Sequence, residues 1–140
     1  MALRALIDSM VFDAIASEDA LLARVDRLTR ARDLQLLAAP ASLTQIEATP
    51  DPEHRRRLRR VRVLVVPPAE ADPRMGPLID ALHGHPGVDE DDARIAAAAA
   101  AENVALVTED RALRLAVAAE VPELSLWDWA SGLGPRLAAL

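Results

Sequence analysis

Cysteine, lysine and tyrosine are all missing from this chain, and only three aromatic residues occur, Phe12, Trp127 and Trp129. Without cysteine there are no disulfides, no thiolate metal sites and no cysteine nucleophile. Without lysine every basic side chain is an arginine, and chemistry that uses an ammonium group to neutralise a phosphoryl group is excluded. So few aromatics leave little from which to build base-stacking platforms. No uncharged apolar run reaches the eighteen residues of a membrane span, and Asp8 interrupts the first apolar stretch. Neither a signal peptide nor a membrane anchor is expected, and the expected location is the cytosol.

The 140 residues suit one domain spanning 1–140. About half are apolar (51%) and a quarter charged (27%), as in a soluble globular protein. Alanine supplies much of the apolar half, so tight helix packing is expected. The net charge is −6, which does not draw nucleic acid to the surface as a whole. The charge is uneven, however. Six arginines fall within 55–62, while acids gather in Asp89-Glu90-Asp91-Asp92. An acidic pocket beside a basic strip suits a metal site next to a phosphate track, with Arg55, Arg56, Arg59 and Arg60 as the candidate RNA contacts. The plainer reading of that strip is a solvated helix face followed by an edge strand.

Short apolar runs alternate with helical patterns along the chain. Strands are expected at 3–8, 33–38, 62–66, 104–107 and 123–126. Helices are expected at 10–16, 18–32, from Pro40 through Glu47, after Pro52, at 78–83, 89–102 and 111–119, with an interrupted helix over 128–140. Residues 67–77, with four prolines, read as a loop. Strands separated by helices indicate right-handed crossovers and a parallel sheet covered on both faces.

Four acids stand where such a fold can bring them together: Asp8, Glu47, Asp92 and Asp110, separated by 39, 45 and 18 residues. Asp8 and Asp110 follow strands, and Glu47 and Asp92 lie on helices beside the rim. Within the acidic run, Asp92 shares a helical face with Ile95, Ala96 and Ala99 and leans toward the core, whereas Asp89 lies farther out. Carboxylates roughly 5 Å apart repel by about 3 kcal/mol per pair at an effective dielectric of about 20. A hard divalent cation with oxygen ligands, Mg²⁺ or Mn²⁺, removes that cost.

Leu6-Ile7-Asp8-Ser9, the lone Glu47, Asp92-Ala93-Arg94-Ile95-Ala96-Ala97-Ala98-Ala99 and Ala105-Leu106-Val107-Thr108-Glu109-Asp110 resemble the PIN-domain nucleases, and most of all the VapC-type toxins of bacterial toxin–antitoxin pairs. The resemblance covers nearly the whole chain. It implies a three-layer α/β/α sandwich with a central parallel sheet and Mg²⁺- or Mn²⁺-dependent cleavage of single-stranded or structured RNA. It also implies a cognate antitoxin that blocks the acidic pocket, and homodimers are common among its members. The acidic quartet carries over onto Asp8, Glu47, Asp92 and Asp110, as metal ligands and catalytic groups. The hydroxyl positions carry over onto Ser9 and Thr108, which would orient acids or water. Met10 departs from the pattern where a small polar residue is common, and Glu109 stands in place of a basic residue, adding negative charge near the rim.

Other classes fit less well. Phosphoryl-transfer domains of the haloacid-dehalogenase and receiver types also place an aspartate after a first strand. They need a second acid nearby and a lysine, whereas position 10 is methionine and lysine is missing. A catalytically silent PIN-like module that holds RNA or protein, and a housekeeping RNA-processing nuclease without an antitoxin, remain as alternatives. His83-Gly84-His85-Pro86 reads as an exposed turn rather than a metal pair. Trp127 and Trp129 are expected to pack the terminal helix against the sheet, with a partner interface as the other option.

Overall fold

The computed structural model describes residues 2–140. Five parallel strands form one sheet: β1 (Leu3–Ile7), β2 (Leu34–Ala38), β3 (Leu64–Val65), β4 (Ala105–Val107) and β5 (Leu126–Trp127). Their spatial order is β3-β2-β1-β4-β5, with Leu6 paired to Leu37 on one side and to Leu106 on the other. The chain walks outward from β1 to β3, then returns to the far side of β1 for β4 and β5. The gap between β1 and β4 is therefore the point where the winding reverses. In open parallel sheets this is where ligands bind, beyond the carboxyl ends of the strands.

Eight helices connect the strands. They are α1 (Ser9–Ala16), α2 (Asp19–Arg30), α3 (Pro40–Glu47), α4 (Pro52–Arg59), α5 (Met75–His83), α6 (Glu90–Glu102), α7 (Arg111–Glu120) and α8 (Gly134–Ala138). One face of the sheet is covered by α5, α6 and α7. There the alanines 96–99 of α6 lie against Leu6, Leu37 and Leu106. The opposite face is covered by α1, α2, α4 and α8, through Phe12, Val25, Leu58 and Leu137 against Ile7, Leu36 and Val107. Alternate residues of β1 thus feed opposite cores, the three-layer α/β/α arrangement expected from the sequence. No helix among the described residues is long and apolar enough to cross a membrane.

The differences from the expected elements are local. Of the anticipated 62–66 strand, Leu64 and Val65 stand in register with β2, and Val66 adds one amide bond to Ala38 before Pro67 and Pro68 end it. Pro77 sits in the first turn of α5, where its missing N–H is no loss, so that helix begins at Met75 rather than at Leu78. A short 3₁₀ turn, Ala69–Ala71, occupies part of the expected loop. The last strand falls at Leu126–Trp127 rather than 123–126, and a π-helical turn, Trp129–Leu133, leads into α8.

Candidate active site

Three helices, α1, α6 and α7, begin at the carboxyl rim of the sheet, and their N-terminal ends carry three of the four acids. Asp8 ends β1 and caps α1, its Oδ1 accepting from the Val11 amide at 3.1 Å. Asp110 caps α7 in the same way, accepting from the Leu113 amide at 3.1 Å. Asp89 caps α6 by accepting from the Asp92 amide at 2.8 Å, which places Asp92 in the first turn. Capping uses one carboxylate oxygen, and the helix dipoles favour negative charge at these ends.

Thr108 links two of the acids. It is fully buried, its hydroxyl donates to Asp8 Oδ2, and its Oγ1 accepts from the Asp110 amide at 3.1 Å. Asp8 itself is buried, and desolvation raises its pKa above the usual carboxylate range. The bonds from Thr108, Val11 and Met10 pull the other way, and the Asp110 charge adds to the rise. Asp92 is pushed up to about 6, chiefly by burial, then by the charges of Asp89 and Asp110. Asp110 therefore bears on both Asp8 and Asp92, and these three aspartates form one electrostatic group at the β1/β4 gap.

Glu47 does not join them. Arg59 of α4 grips both of its oxygens, with Nε to Oε1 at 2.8 Å and Nη2 to Oε2. That bond and the charges of Arg59 and Arg55 lower its pKa. The cause is rotational. Ser42 and Ile46 turn the buried side of α3 inward, and Glu47 then faces α4. Gln45, about 200° away around the helix, takes the place facing α1. Its Oε1 accepts from the Ser9 hydroxyl at 2.7 Å. Ser9 thus braces α3 against α1 with a bond to Gln45 rather than to an acid, whereas Thr108 bonds to both Asp8 and Asp110.

The arginine strip is largely spent on local partners. Arg55 donates to the Thr49 carbonyl, Arg56 pairs with Glu53, Arg57 donates to the Ala16 carbonyl, and Arg60 lies 3.8 Å from Asp19. Glu109 is a second reassigned charge. Its Oε1 accepts from the Trp129 amide at 2.6 Å and so anchors the π turn. His85, in the turn after α5, bonds Glu120 at the end of α7 at 2.9 Å. Trp127 and Trp129 pack beside Leu133 and Leu137, as expected, and Arg136 lies 4.1 Å over the Trp127 ring.

Among the described residues no three carboxylate or imidazole groups lie close enough together to hold a metal ion as they stand. The chemistry of the donor set nevertheless fits a hard divalent cation: oxygen ligands only, with two acids, Asp8 and Asp92, whose pKa values are raised by burial and by the charge of Asp110. One participant, Gln45, escapes the sequence reading, which sets Asp89 farther out than Asp92 without its capping role. For Asp89 the signal was present, an aspartate three residues before another at the start of an alanine-rich helix, which is a capping pattern. For Gln45 no signal existed, since its partner lies 36 residues away.

A parallel sheet in this order, with aspartates at the reversal point, defines a PIN-like α/β/α domain. Solved structures share it. One chain of VapBC2 from Rickettsia felis, bound there to a DNA fragment from the promoter, superposes with a TM-score of 0.60 at 16% identity, covering 90% of this chain and 98% of that one. VapBC-1 from nontypeable Haemophilus influenzae gives 0.63 at 15% identity, over 92% and 100%. PAE2754 from Pyrobaculum aerophilum gives 0.56 at 22% identity, over 100% and 92%. No family model and no curated protein matches the chain. At these identities the likeness is one of fold, and the fold is that of the PIN domain.

Proposed function

We propose that this chain is a Mg²⁺- or Mn²⁺-dependent endoribonuclease acting as the toxin of a toxin–antitoxin pair. The observation that carries the reading is that the charge of Asp110 bears on both Asp8 and Asp92 beside the β1/β4 gap, with Asp92 raised to about 6 by burial first and then by the charges of Asp89 and Asp110. Asp8, Asp92 and Asp110 would hold the cation, which supplies a water of lowered pKa and neutralises charge on the attacked phosphodiester. Thr108 keeps the Asp8 carboxylate oriented and ionised. Arg55, Arg56, Arg59 and Arg60 form the track for the RNA backbone. When a phosphate takes Arg59, Glu47 is released toward the rim to orient water or a second ion. Both partners are exposed, so the exchange costs little. The fold shared with VapBC structures supports a cognate antitoxin as the protein partner, closing the acidic gap with a basic side chain.

The Glu47–Arg59 pair is also the one observation that favours a second reading, a silent PIN-like module. The two separate in one assay. Antitoxin-free protein, incubated with a mixed RNA pool and Mn²⁺, is expected to cleave it, and EDTA or Asp8→Asn to abolish the cleavage while the circular dichroism spectrum is unchanged. A well-folded Asp8→Asn variant with full activity sinks the assignment. Wild-type protein that leaves the RNA intact in Mn²⁺ favours the silent module.

A further inference from the structure

β3 is an open edge with unusual chemistry. The Val66 amide donates to the Ala38 carbonyl at 3.0 Å, so the backbone groups of Leu64 and Val66 point toward β2. Strand alternation then turns the N–H and C=O of Val63 and Val65 outward, away from the sheet. Natural edges are usually blunted by charge, bulges or proline. Arg62 and Pro67-Pro68 flank this short edge, but its two strand residues are apolar and exposed, Leu64 by 53% and Val65 by 45%. Two cavities adjoin the edge and share Arg62 and Val63. One, of ≈450 Å³, has Leu34, Leu36 and Leu64 in its wall; the other, of ≈400 Å³, has Leu58, Val63 and Val65. Arg62 lines both, Arg32 the first, and Arg59 and Arg60 the second, against a single acid, Asp26. Arg59, Arg60 and Arg62 already face Glu47, Asp19 and Asp26, and Arg32 has no ion pair among the described residues, so in a protein of net charge −6 this flank keeps a small basic excess.

We infer that β3 docks an extended, acidic segment of a partner protein as a sixth strand. Backbone bonds at Val63 and Val65 would supply affinity, and alternate apolar side chains would enter the two cavities. Carboxylates on that segment would meet the arginines. A second copy of this chain fits poorly, because a two-fold contact sets the patch against itself and brings like charges together. A polynucleotide would meet the arginines but leave the outward amides and the apolar walls unused. The inference does not depend on the acids of the β1/β4 gap, since β2 separates β3 from β1. Arg59 and Arg60 are shared with the proposed RNA track, and the charge variants are therefore placed at Arg32 and Arg62.

The test uses the whole chain, ¹⁵N-labelled, with a ten-residue peptide alternating valine and glutamate as probe. Amide exchange at Val63 and Val65 is expected to slow at least tenfold, while that of Leu64 and Val66, already bonded inward, is unchanged. Val65→Pro removes only an outward donor and should abolish the effect. The double variant Arg32→Glu/Arg62→Glu leaves the backbone edge intact and should weaken binding about tenfold at low salt. No slowing at Val63 and Val65 overturns the inference. So does equal binding of a valine–lysine peptide, the same protection by a single-stranded RNA decamer, or protection that grows with protein concentration alone.

Discussion

Thr108 and Asp8 lock each other in place: a hydroxyl with no exposure donates to a carboxylate that has little. Thr108→Val keeps the shape and removes the donor. Leaving buried acceptors unpaired costs about 1–3 kcal/mol. Because the lost bond served the ionised form, the loss should be larger at pH 8 than at pH 5 in urea melts, and nuclease activity should shift to higher pH. Asp92 gives the opposite test. Its folded pKa of about 6 lies above the ordinary value, so its charge destabilises the metal-free fold fully above pH 6–7, and the penalty fades as pH falls toward 4. Asp92→Asn in EDTA should therefore melt higher than wild type at pH 8, and the two should converge by pH 4. At this scale the sequence showed which residues carry charge, yet not which partner each would find. Asp89 and Asp92 were legible from the helix they open. The pairing of Glu47 with Arg59 was not legible, because Arg59 sits on another helix whose orientation no local pattern encodes.

Among the elements, the α6 helix shows how composition becomes geometry. Small side chains at 96–99 let it lie close on β1 and β4, which draws its acidic first turn up to the rim. The π turn after β5 uses the same device with glycine. A Cβ on Gly132 would stand 2.6 Å from the Trp127 Cβ and 3.2 Å from its Cα, in a segment already pinned by Asp128 and Glu109. Gly132→Ala is expected to cost about 1–3 kcal/mol through overpacking, read from the urea midpoint. Most strands and helices were legible from apolar period and caps. The exceptions share a cause. The extent of β3 depends on how far β2 runs beside it, and the start of α5 depends on a proline that a first turn accepts.

For the molecule as a whole, the reading turns on whether the rim acids act as one cation site. An ion at 100 times its dissociation constant stabilises by about 2.7 kcal/mol. For a domain of this size that is a rise in Tm of roughly 6–10 °C. Mn²⁺ is expected to raise the wild-type Tm by that amount and to leave Asp8→Asn and Asp110→Asn within about 2 °C of their metal-free values. A rise of equal size in all three proteins would place the ion elsewhere, since two of them lack a ligand of the proposed site.

Element order, the parallel sheet and the candidate acids are local or periodic properties, written in apolar runs, capping residues and prolines, and the linear chain determined them. What only the folded molecule decided is pairing across distance. It ordered the strands so that β1 and β4 meet, brought Asp110 within the field of Asp8 and Asp92, gave Glu47 to Arg59, and left β3 open beside its arginines. Each of these depends on how one element is rotated and packed against another, and that is set by the sum of many contacts rather than by any segment of the chain.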